Sequence, residues 1–222
     1  MRKVIAAAFI SLDGVMQAPG GPDEDTTGGF AHGGWVFHYL DEATQEVLGK
    51  TLFSSYDLLL GRNTYDIFAA YWPYAGDDDP IGAKFNAAIK YVATASPGPL
   101  DWENSVVIGD DGAAEVARLK RQDGPDLLLQ GSGEFIQALL ADDLIDEFRL
   151  MIFPLLLGAG KRLFADGTRP AALKLVDTKT SPSGVIMSTY RRDGEIETGS
   201  FAQAEPSDAE IERQRRMRRE TA

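Results

Sequence analysis

Residues 127–140 read LLLQGSGEFIQALL, three leucines followed by a glycine-rich turn and a second apolar segment. The leucine run predicts a buried strand over 126–129. The second segment predicts a helix over 134–141, because its apolar residues recur at helical spacing: Phe135, Ile136, Leu139 and Leu140. A strand that passes through glycine into a helix is typical of a parallel α/β sheet, whose ligands bind at the carboxyl ends of the strands.

A second stretch, LLLGRNTYD at residues 58–66, has the same order of strand, glycine and helix. We predict a strand over 56–60 and a helix over 64–70, with Thr64 available as its cap. Helix N-termini present free N–H groups and a positive dipole end, and glycine allows a phosphate to approach the backbone. Arg62 adds a cation, and Thr64 and Ser132 add hydroxyl donors.

Either glycine turn alone is more typical of a plain turn than of a binding site. Two of them in one chain favour a dinucleotide. Neither turn matches the GxGxxG fingerprint or the Walker A pattern. The sequence therefore favours a cofactor cleft that is neither a standard Rossmann site nor a P-loop.

The remaining pattern alternates strands and helices and then ends in strands. Further strands are predicted at 4–10, 91–93, 106–108, 147–153, 174–180 and 185–190, and further helices at 41–53, 84–89 and 113–120. This order predicts a three-layer α/β fold, with a mostly parallel central sheet and an antiparallel C-terminal edge hairpin. Residues 16–34 form a long Gly- and Pro-rich loop. A doubly wound nucleotide-binding sheet is the alternative, but it does not need the closing hairpin.

We assign residues 1–192 to one domain and residues 193–222 to a polar C-terminal extension. Within the extension, Ser207 and Glu210 can form a capping box, and five arginines lie between Arg213 and Arg219. Few apolar residues accompany them, so we expect a solvated or frayed tail.

Composition excludes several classes of function. The 222-residue chain has no cysteine, which removes disulfides, thiolate nucleophiles and cysteine-bound zinc. Its net charge of −12 argues against nucleic-acid binding, and no apolar run approaches the roughly 20 residues that span a bilayer. His32 and His38 lack a third metal ligand, and the acid run at 77–79 lacks the rest of a calcium loop, so we expect no metal site. A cytoplasmic location is the expectation.

Five segments together resemble the dihydrofolate-reductase-like superfamily: SLDG at 11–14, LLLGRNTYD at 58–66, ATASPG at 93–98, LLLQGSGEFIQALL at 127–140 and LIDEFRLMIFPLLLGAGKRLF at 144–164. The resemblance is closest to the C-terminal reductase domain of bifunctional riboflavin-biosynthesis proteins and its single-domain relatives. It implies NADPH-dependent hydride transfer to a small heterocyclic or carbonyl substrate, such as the pyrimidine of riboflavin biosynthesis. It also implies a homodimer, for which the strand at 148–153 and the closing hairpin offer contact surfaces.

The resemblance also implies roles for individual residues. Ala7 should face the nicotinamide, and Met16 should cover the active site with its loop. The remaining cofactor contacts fall at three places: Gly61, Arg62, Asn63 and Thr64 at the phosphates, with Arg62 near the ribose 2'-phosphate; Thr94 and Ser96 at the adenosine; and Gly131, Ser132, Gly133, Glu134 and Phe135 at the pyrophosphate.

Three further residues are candidates for the substrate side. Asp13 lies beside the expected nicotinamide position, where a carboxyl group could orient the substrate or relay a proton; alternatively, it caps the turn at Asp13-Gly14. Trp35 and Phe53 could line a flat pocket or pack in the core. A different class of function stays open as well, that of a nucleotide-binding regulatory protein that keeps the fold without turnover.

Overall fold

The computed structural model describes residues 1–76, 78–96, 98–202 and 205–220. Its strands are β1 Val4–Ser11, β2 Tyr56–Gly61, β3 Lys90–Ala93, β4 Ser105–Val107, β5 Asp126–Leu129, β6 Glu147–Phe153, β7 Leu173–Thr180 and β8 Ile186–Arg192. Its α-helices are α1 Glu42–Leu52, α2 Arg62–Ala69, α3 Pro80–Ala87, α4 Gly112–Lys120, α5 Gly133–Ala141 and α6 Asp208–Glu220.

The eight strands form one sheet in the order β4-β3-β2-β5-β1-β6-β8-β7. Neighbouring strands are parallel except where β8 pairs with β6 and β7. The predicted mostly parallel sheet with an antiparallel C-terminal hairpin is confirmed. Because β2 lies beside β5, the two glycine turns leave the sheet from adjacent strands.

Two apolar clusters cover the two faces of the sheet, as the continuous apolar strands predict. One lies under α4 and α5 and includes Val116, Leu119, Phe135, Ile136 and Leu139. The other lies under α1, α2 and α3 and includes Leu52, Tyr65 and Phe85. The middle strands are buried on both faces, which gives the sites at their ends a rigid support.

Two helices begin two or more residues earlier than the sequence predicts. Helix α2 begins at Arg62, so Thr64 lies in its first turn and is not its cap. Helix α3 begins at Pro80 because the Asp79 carboxylate accepts the N–H groups of Ile81 and Gly82, at 2.9 and 3.1 Å. The acid run therefore supplies a helix cap through Asp79. Asp77 lies outside the described residues.

The expected dimer surfaces differ in their exposure. Strand β6 lies inside the sheet and is paired on both edges. Its side chains Phe148, Leu150, Met151 and Phe153 are buried. The prediction that residues 148–153 form a dimer contact surface is therefore wrong. Strand β7 is exposed along its whole length at the sheet edge.

The C-terminal tail forms a helix rather than a frayed segment. Helix α6 has no buried residue, and the Ser207 hydroxyl accepts the N–H of Glu210 at 3.3 Å near its start. Within the described ranges, no helix is both long and apolar enough to cross a membrane. The division at residue 192 stays a prediction.

Candidate active site

The two glycine turns pack directly against each other. The Gly61 N–H donates to the carbonyl of Gly131 at 3.4 Å. A β-carbon on Gly61 would collide with the Ser132 hydroxyl, and one on Gly131 would lie 2.6 Å from Oγ1 of Thr64. Gly131 also has φ +147°, which L side chains rarely adopt. Glycine is therefore required at both positions by the close approach of the other turn.

The helices at these turns begin without a side-chain cap. Asp41, Asp79 and Asp111 cap α1, α3 and α4. In contrast, Gly61 and Ser132 precede α2 and α5 and supply no capping hydrogen bond within the described part of the chain. The first N–H groups of α2 and α5 are thus available to a ligand. The first turn of α2 carries no acidic residue, whereas that of α5 carries Glu134, whose side chain is exposed.

Arg62 supplies the positive charge beside the first turn. Its Nε donates to both carboxylate oxygens of Asp66, at 2.9 and 3.0 Å, and its guanidinium lies 5.9 Å from the Tyr65 ring. Its Nη1 is buried and has no hydrogen-bond partner among the described residues. Leaving a buried charged donor unpaired is costly, so this atom suits an oxyanion of a ligand. The glycine cradle and this orphaned donor fit the diphosphate and 2'-phosphate of NADPH.

A cleft of about 1070 Å³ opens at the turns and runs along the sheet. It is large enough for a dinucleotide together with a small substrate. Seven of the predicted site residues line it: Ala7, Met16, Asn63, Thr64, Gly131, Ser132 and Gly133.

The other predicted cofactor residues do not line the cleft: Gly61, Arg62, Thr94, Ser96, Glu134 and Phe135. Thr94 is buried at the end of β3, where its hydroxyl accepts the N–H of Ser96 at 3.2 Å. Glu134 is exposed on α5, and Phe135 is buried in the core, where a β-carbon on Gly112 would lie 2.9 Å from its ring. Phe135 can therefore contribute only its backbone to the turn.

Asp13 lies outside the cleft lining and is fully engaged in hydrogen bonds. It accepts the Ser11 hydroxyl at 2.6 Å and the N–H groups of Leu157 and Gly158 at 3.1 and 2.8 Å. The Ser11 hydrogen bond, with help from these N–H groups, lowers the pKa of Asp13 to about 2. A carboxylate held in this way is a poor proton donor, and its contacts favour the structural alternative for Asp13.

Gln17 fixes the long loop of residues 16–34, which we call the cover loop. Its Nε2 donates to the carbonyls of Asp25 and Thr27 at 3.0 and 2.9 Å, and its Oε1 accepts the N–H of Lys161 at 3.0 Å. Lys161 also pairs with the Asp25 carboxylate at 2.7 Å. Lys161 therefore anchors the cover loop through both its backbone and its side chain.

The two aromatics predicted for a substrate pocket lie elsewhere. Trp35 is buried, its Nε1–H donates to the Gln17 carbonyl at 2.8 Å, and its ring meets Phe153 edge-on at 5.3 Å. Phe53 is exposed just after the end of α1. The structure brings neither side chain to the cleft. Trp35 packs in the core instead, as the alternative prediction for it states.

Sequence reasoning missed a different aromatic wall. Phe68, Tyr71 and Trp72 line the cleft at the end of α2, with the Tyr71 and Trp72 rings 4.9 Å apart. Their signal is present in the sequence, because Tyr71-Trp72-Pro73 directly follows the helix predicted over 64–70. The cleft also holds Glu147 and Arg149, charges that alternate with apolar residues in β6.

Glu24, on the cover loop, is an acid whose surroundings differ from those of Asp13. It lines the cleft, and its Oε2 accepts the Gly20 N–H at 2.5 Å. Burial raises the pKa of Glu24 above its ordinary value, against the opposing effect of the Gly20 N–H. A carboxyl group that keeps its proton at higher pH is suited to proton transfer. No group of three metal-binding side chains is found in the part of the chain that the structure describes.

Comparisons with known proteins agree with this architecture. The model of the RibD C-terminal domain family matches residues 2–187. The uncharacterized protein YyaP of Bacillus subtilis (strain 168) is 29% identical over 196 residues, which cover 87% of this chain and 96% of YyaP.

Solved structures show the same fold at low identity. A putative riboflavin biosynthesis protein from Shewanella sp. PV-4 aligns with a TM-score of 0.56 at 21% identity, covering 86% of this chain and 99% of that protein. Dihydrofolate reductase from Enterococcus faecalis, solved with NADP(H) and RAB-propyl, aligns with a TM-score of 0.55 at 14% identity, covering 86% and 96%. The predicted dihydrofolate-reductase-like fold is confirmed.

Proposed function

The chain belongs to the RibD C-terminal domain family, and from this premise we propose that it is an NADPH-dependent reductase of a small heterocyclic or carbonyl substrate. The observation that carries the proposal is the pair of interlocked turns, whose helices begin without side-chain caps beside the orphaned Nη1 of Arg62. The Enterococcus faecalis dihydrofolate reductase, which has the same fold, was solved in complex with NADP(H).

The proposed cofactor contacts divide between the two turns. N–H groups of the first turns of α2 and α5 hold the diphosphate, with Ser132 and Thr64 as hydroxyl donors. Arg62 binds the ribose 2'-phosphate through the guanidinium edge that Asp66 leaves free. Thr94 and Ser96 lie at the adenosine end, and Ala7 borders the nicotinamide, where its small side chain leaves room for a ring.

The chemistry divides between cofactor and protein. NADPH, when bound, supplies the hydride. The cover loop excludes water from the cleft, and Gln17 holds that loop in place. Glu24 holds the proton that the reduced substrate needs, while Phe68, Tyr71 and Trp72 provide an aromatic wall for a flat substrate. Asp13 maintains the loop and does not touch the reacting atoms.

For the substrate, we propose a pyrimidine- or pteridine-type compound or a related carbonyl, as in the riboflavin pathway. The aromatic wall supports a planar ring. A homodimer and a cytoplasmic location are part of the same proposal; light scattering of the purified chain tests the first.

The deciding experiment is NADPH oxidation with a panel of pyrimidines, pteridines and carbonyl compounds. A reductase gives steady loss of NADPH absorbance with at least one compound, above the rate without substrate. Tight NADPH binding without turnover of any compound would instead favour a regulatory nucleotide-binding protein. Where turnover is found, Glu24→Gln should lower it and leave NADPH affinity unchanged, which distinguishes a loss of proton transfer from a loss of cofactor binding.

A further inference from the structure

The cleft extends past Ala7 along the sheet. Ala7, Arg149, Thr189 and Asp177 stand in one register row across β1, β6, β8 and β7, and all four line the cleft. Neighbouring strands lie about 4.8 Å apart, so Arg149 is one strand away from Ala7. We call this region, with Arg191 and Glu147 beside it, the arginine end of the cleft.

A buried carboxylate orients two arginines at the arginine end. Glu147 is only 3% exposed, and it accepts Nε of Arg149 at 2.8 Å and Nε of Arg191 at 2.9 Å. Burial pushes the pKa of Glu147 upward, but the hydrogen bonds from Arg149 and Arg191 bring it below its ordinary value, so Glu147 is an anion. The Nη edges of both arginines stay free of Glu147, and Arg149 Nη1 reaches the Thr51 hydroxyl only at 3.5 Å.

The arginine end has a positive charge in excess. Two guanidinium groups share one carboxylate, and nearby Lys50 and Lys179 share the carboxylate of Glu46 at 2.7 and 2.6 Å. With Asp177, four cations meet three carboxylates among the described residues, although the whole chain carries −12. Arg149, with 29% of its side chain exposed, is the most enclosed of these cations and gains most when an anion completes its pairing.

The remaining acids that line the cleft belong to the cover loop and not to the sheet: Asp23, Glu24 and Asp25. Asp25 already pairs with Lys161, so it does not neutralise the arginine end. The sheet side of the cleft is therefore the side that attracts a negative group.

We propose that Arg149 and Arg191 bind an oxyanion group of the substrate, a carboxylate or a phosphate. The proposal rests on the proposed reductase function, in which the reducible bond lies near Ala7. A guanidinium fork matches either oxyanion with two parallel hydrogen bonds. Strand spacing places the oxyanion about 5–10 Å from that bond, the reach of one ring and a short linker.

The test follows the Nε–H signals of arginine by NMR in the protein without NADPH, during titration with inorganic phosphate and, separately, with acetate. We expect Arg149 and Arg191 to shift together along one saturating curve with at least one of the two anions. The anion that saturates identifies phosphate or carboxylate as the group. Arg118 is the internal control, because it forms a similar pair with a single carboxylate, Glu115, far from the cleft.

Absence of a saturating shift at Arg149 and Arg191, or an equal shift at Arg118, would overturn the proposal. The variant Arg149→Gln should abolish the shift at Arg191; if it fails to fold, the wild-type titration still decides. In turnover assays, substrates that carry a carboxylate or phosphate should have a kcat/KM at least tenfold higher than their neutral amide or alcohol analogues. Because the titration contains no NADPH, a chain that fails to bind NADPH can still show this anion site, so the two failures are distinguishable.

Discussion

The Gly61 backbone lies against the Ser132 side chain so closely that a β-carbon on Gly61 would lie 3.0 Å from Ser132 Cβ and would collide with the hydroxyl. The reciprocal relation holds between Gly131 and Thr64. The two glycine turns, more than 60 residues apart in the chain, therefore form one structural unit. A change in either turn should affect both halves of the cofactor cleft.

Substitution of Gly61→Ala tests this unit. Gly61 has φ −73°, which alanine adopts freely, so the expected cost is steric alone. We expect the free energy of unfolding to fall by about 1–3 kcal/mol, as in other overpacked sites, and NADPH affinity to fall with it. Urea denaturation and NADPH titration measure the two effects.

Two variants control the Gly61 experiment. Gly76→Ala places a β-carbon where nothing lies within 4 Å, and it should leave both quantities unchanged. Adding Ser132→Gly to Gly61→Ala removes the colliding group and should restore most of the stability. If the double variant is no more stable than Gly61→Ala, the contact between the turns is not the cause.

Asp13 should prove structural. In Asp13→Asn, the amide nitrogen faces the Gly158 N–H that the carboxylate now accepts, so we expect a loss of about 1–3 kcal/mol in unfolding free energy at neutral pH. The folded-state pKa is lowered to about 2, so this stabilisation is present above the ordinary value of 3.8 and is lost as pH falls through 2. Thermal unfolding across this range measures it, with the exposed Asp101→Asn as control. A large loss of kcat without loss of stability would show instead that Asp13 is catalytic.

Gln17→Leu should free the cover loop. The substitution removes the hydrogen bonds to Asp25, Thr27 and Lys161 and leaves their polar groups unpaired, at a cost of about 1–3 kcal/mol. We expect faster proteolysis within residues 18–34 and a raised KM with the fold retained. Limited proteolysis with mass spectrometry maps the cuts; a cleavage pattern identical to wild type contradicts the role of Gln17.

The pH dependence of turnover should report Glu24. Its raised pKa means that the proton is held to higher pH than in an ordinary glutamate, so kcat should fall as pH rises through that pKa. Glu24→Gln should remove this step and lower kcat by about 100-fold or more. The neighbouring Asp23→Asn serves as the control. A pH profile that is unchanged in Glu24→Gln would assign the proton to another group.

The fold could be predicted from sequence to a large extent, because its signals are local. Continuous apolar runs marked the buried strands, and the strand-glycine-helix order at Gly61 and Gly131 marked the cofactor edge. Helix starts were less accurate where the cap lay outside the apolar pattern. Helix α3 begins at Pro80, four residues before the predicted start, because the Asp79 carboxylate and not an apolar residue defines that end.

The site was predictable only where backbone geometry defines it. The two glycine turns could be predicted without knowing where any side chain points. The positions of Trp35 and Phe53, in contrast, depend on the path of the cover loop and on where α1 ends. The arginine end was missed because Arg149, Arg191 and Asp177 come from different strands that meet only in the folded sheet. Asp13 was ambiguous for the same reason, since its acceptor role depends on Leu157 and Gly158.

In the proposed function, the joined turns and Arg62 together hold NADPH. The most direct test is calorimetric titration of the wild type and Arg62→Gln with NADPH and with NADH. We expect NADPH to bind more tightly than NADH to the wild type, and Arg62→Gln to weaken NADPH by about tenfold or more, since a charge-assisted hydrogen bond contributes about 1.5–3 kcal/mol. NADH affinity should stay nearly unchanged. Equal losses for both cofactors would show that Arg62 does not bind the 2'-phosphate, and no binding of NADPH to the wild type would show that the turns do not form its site.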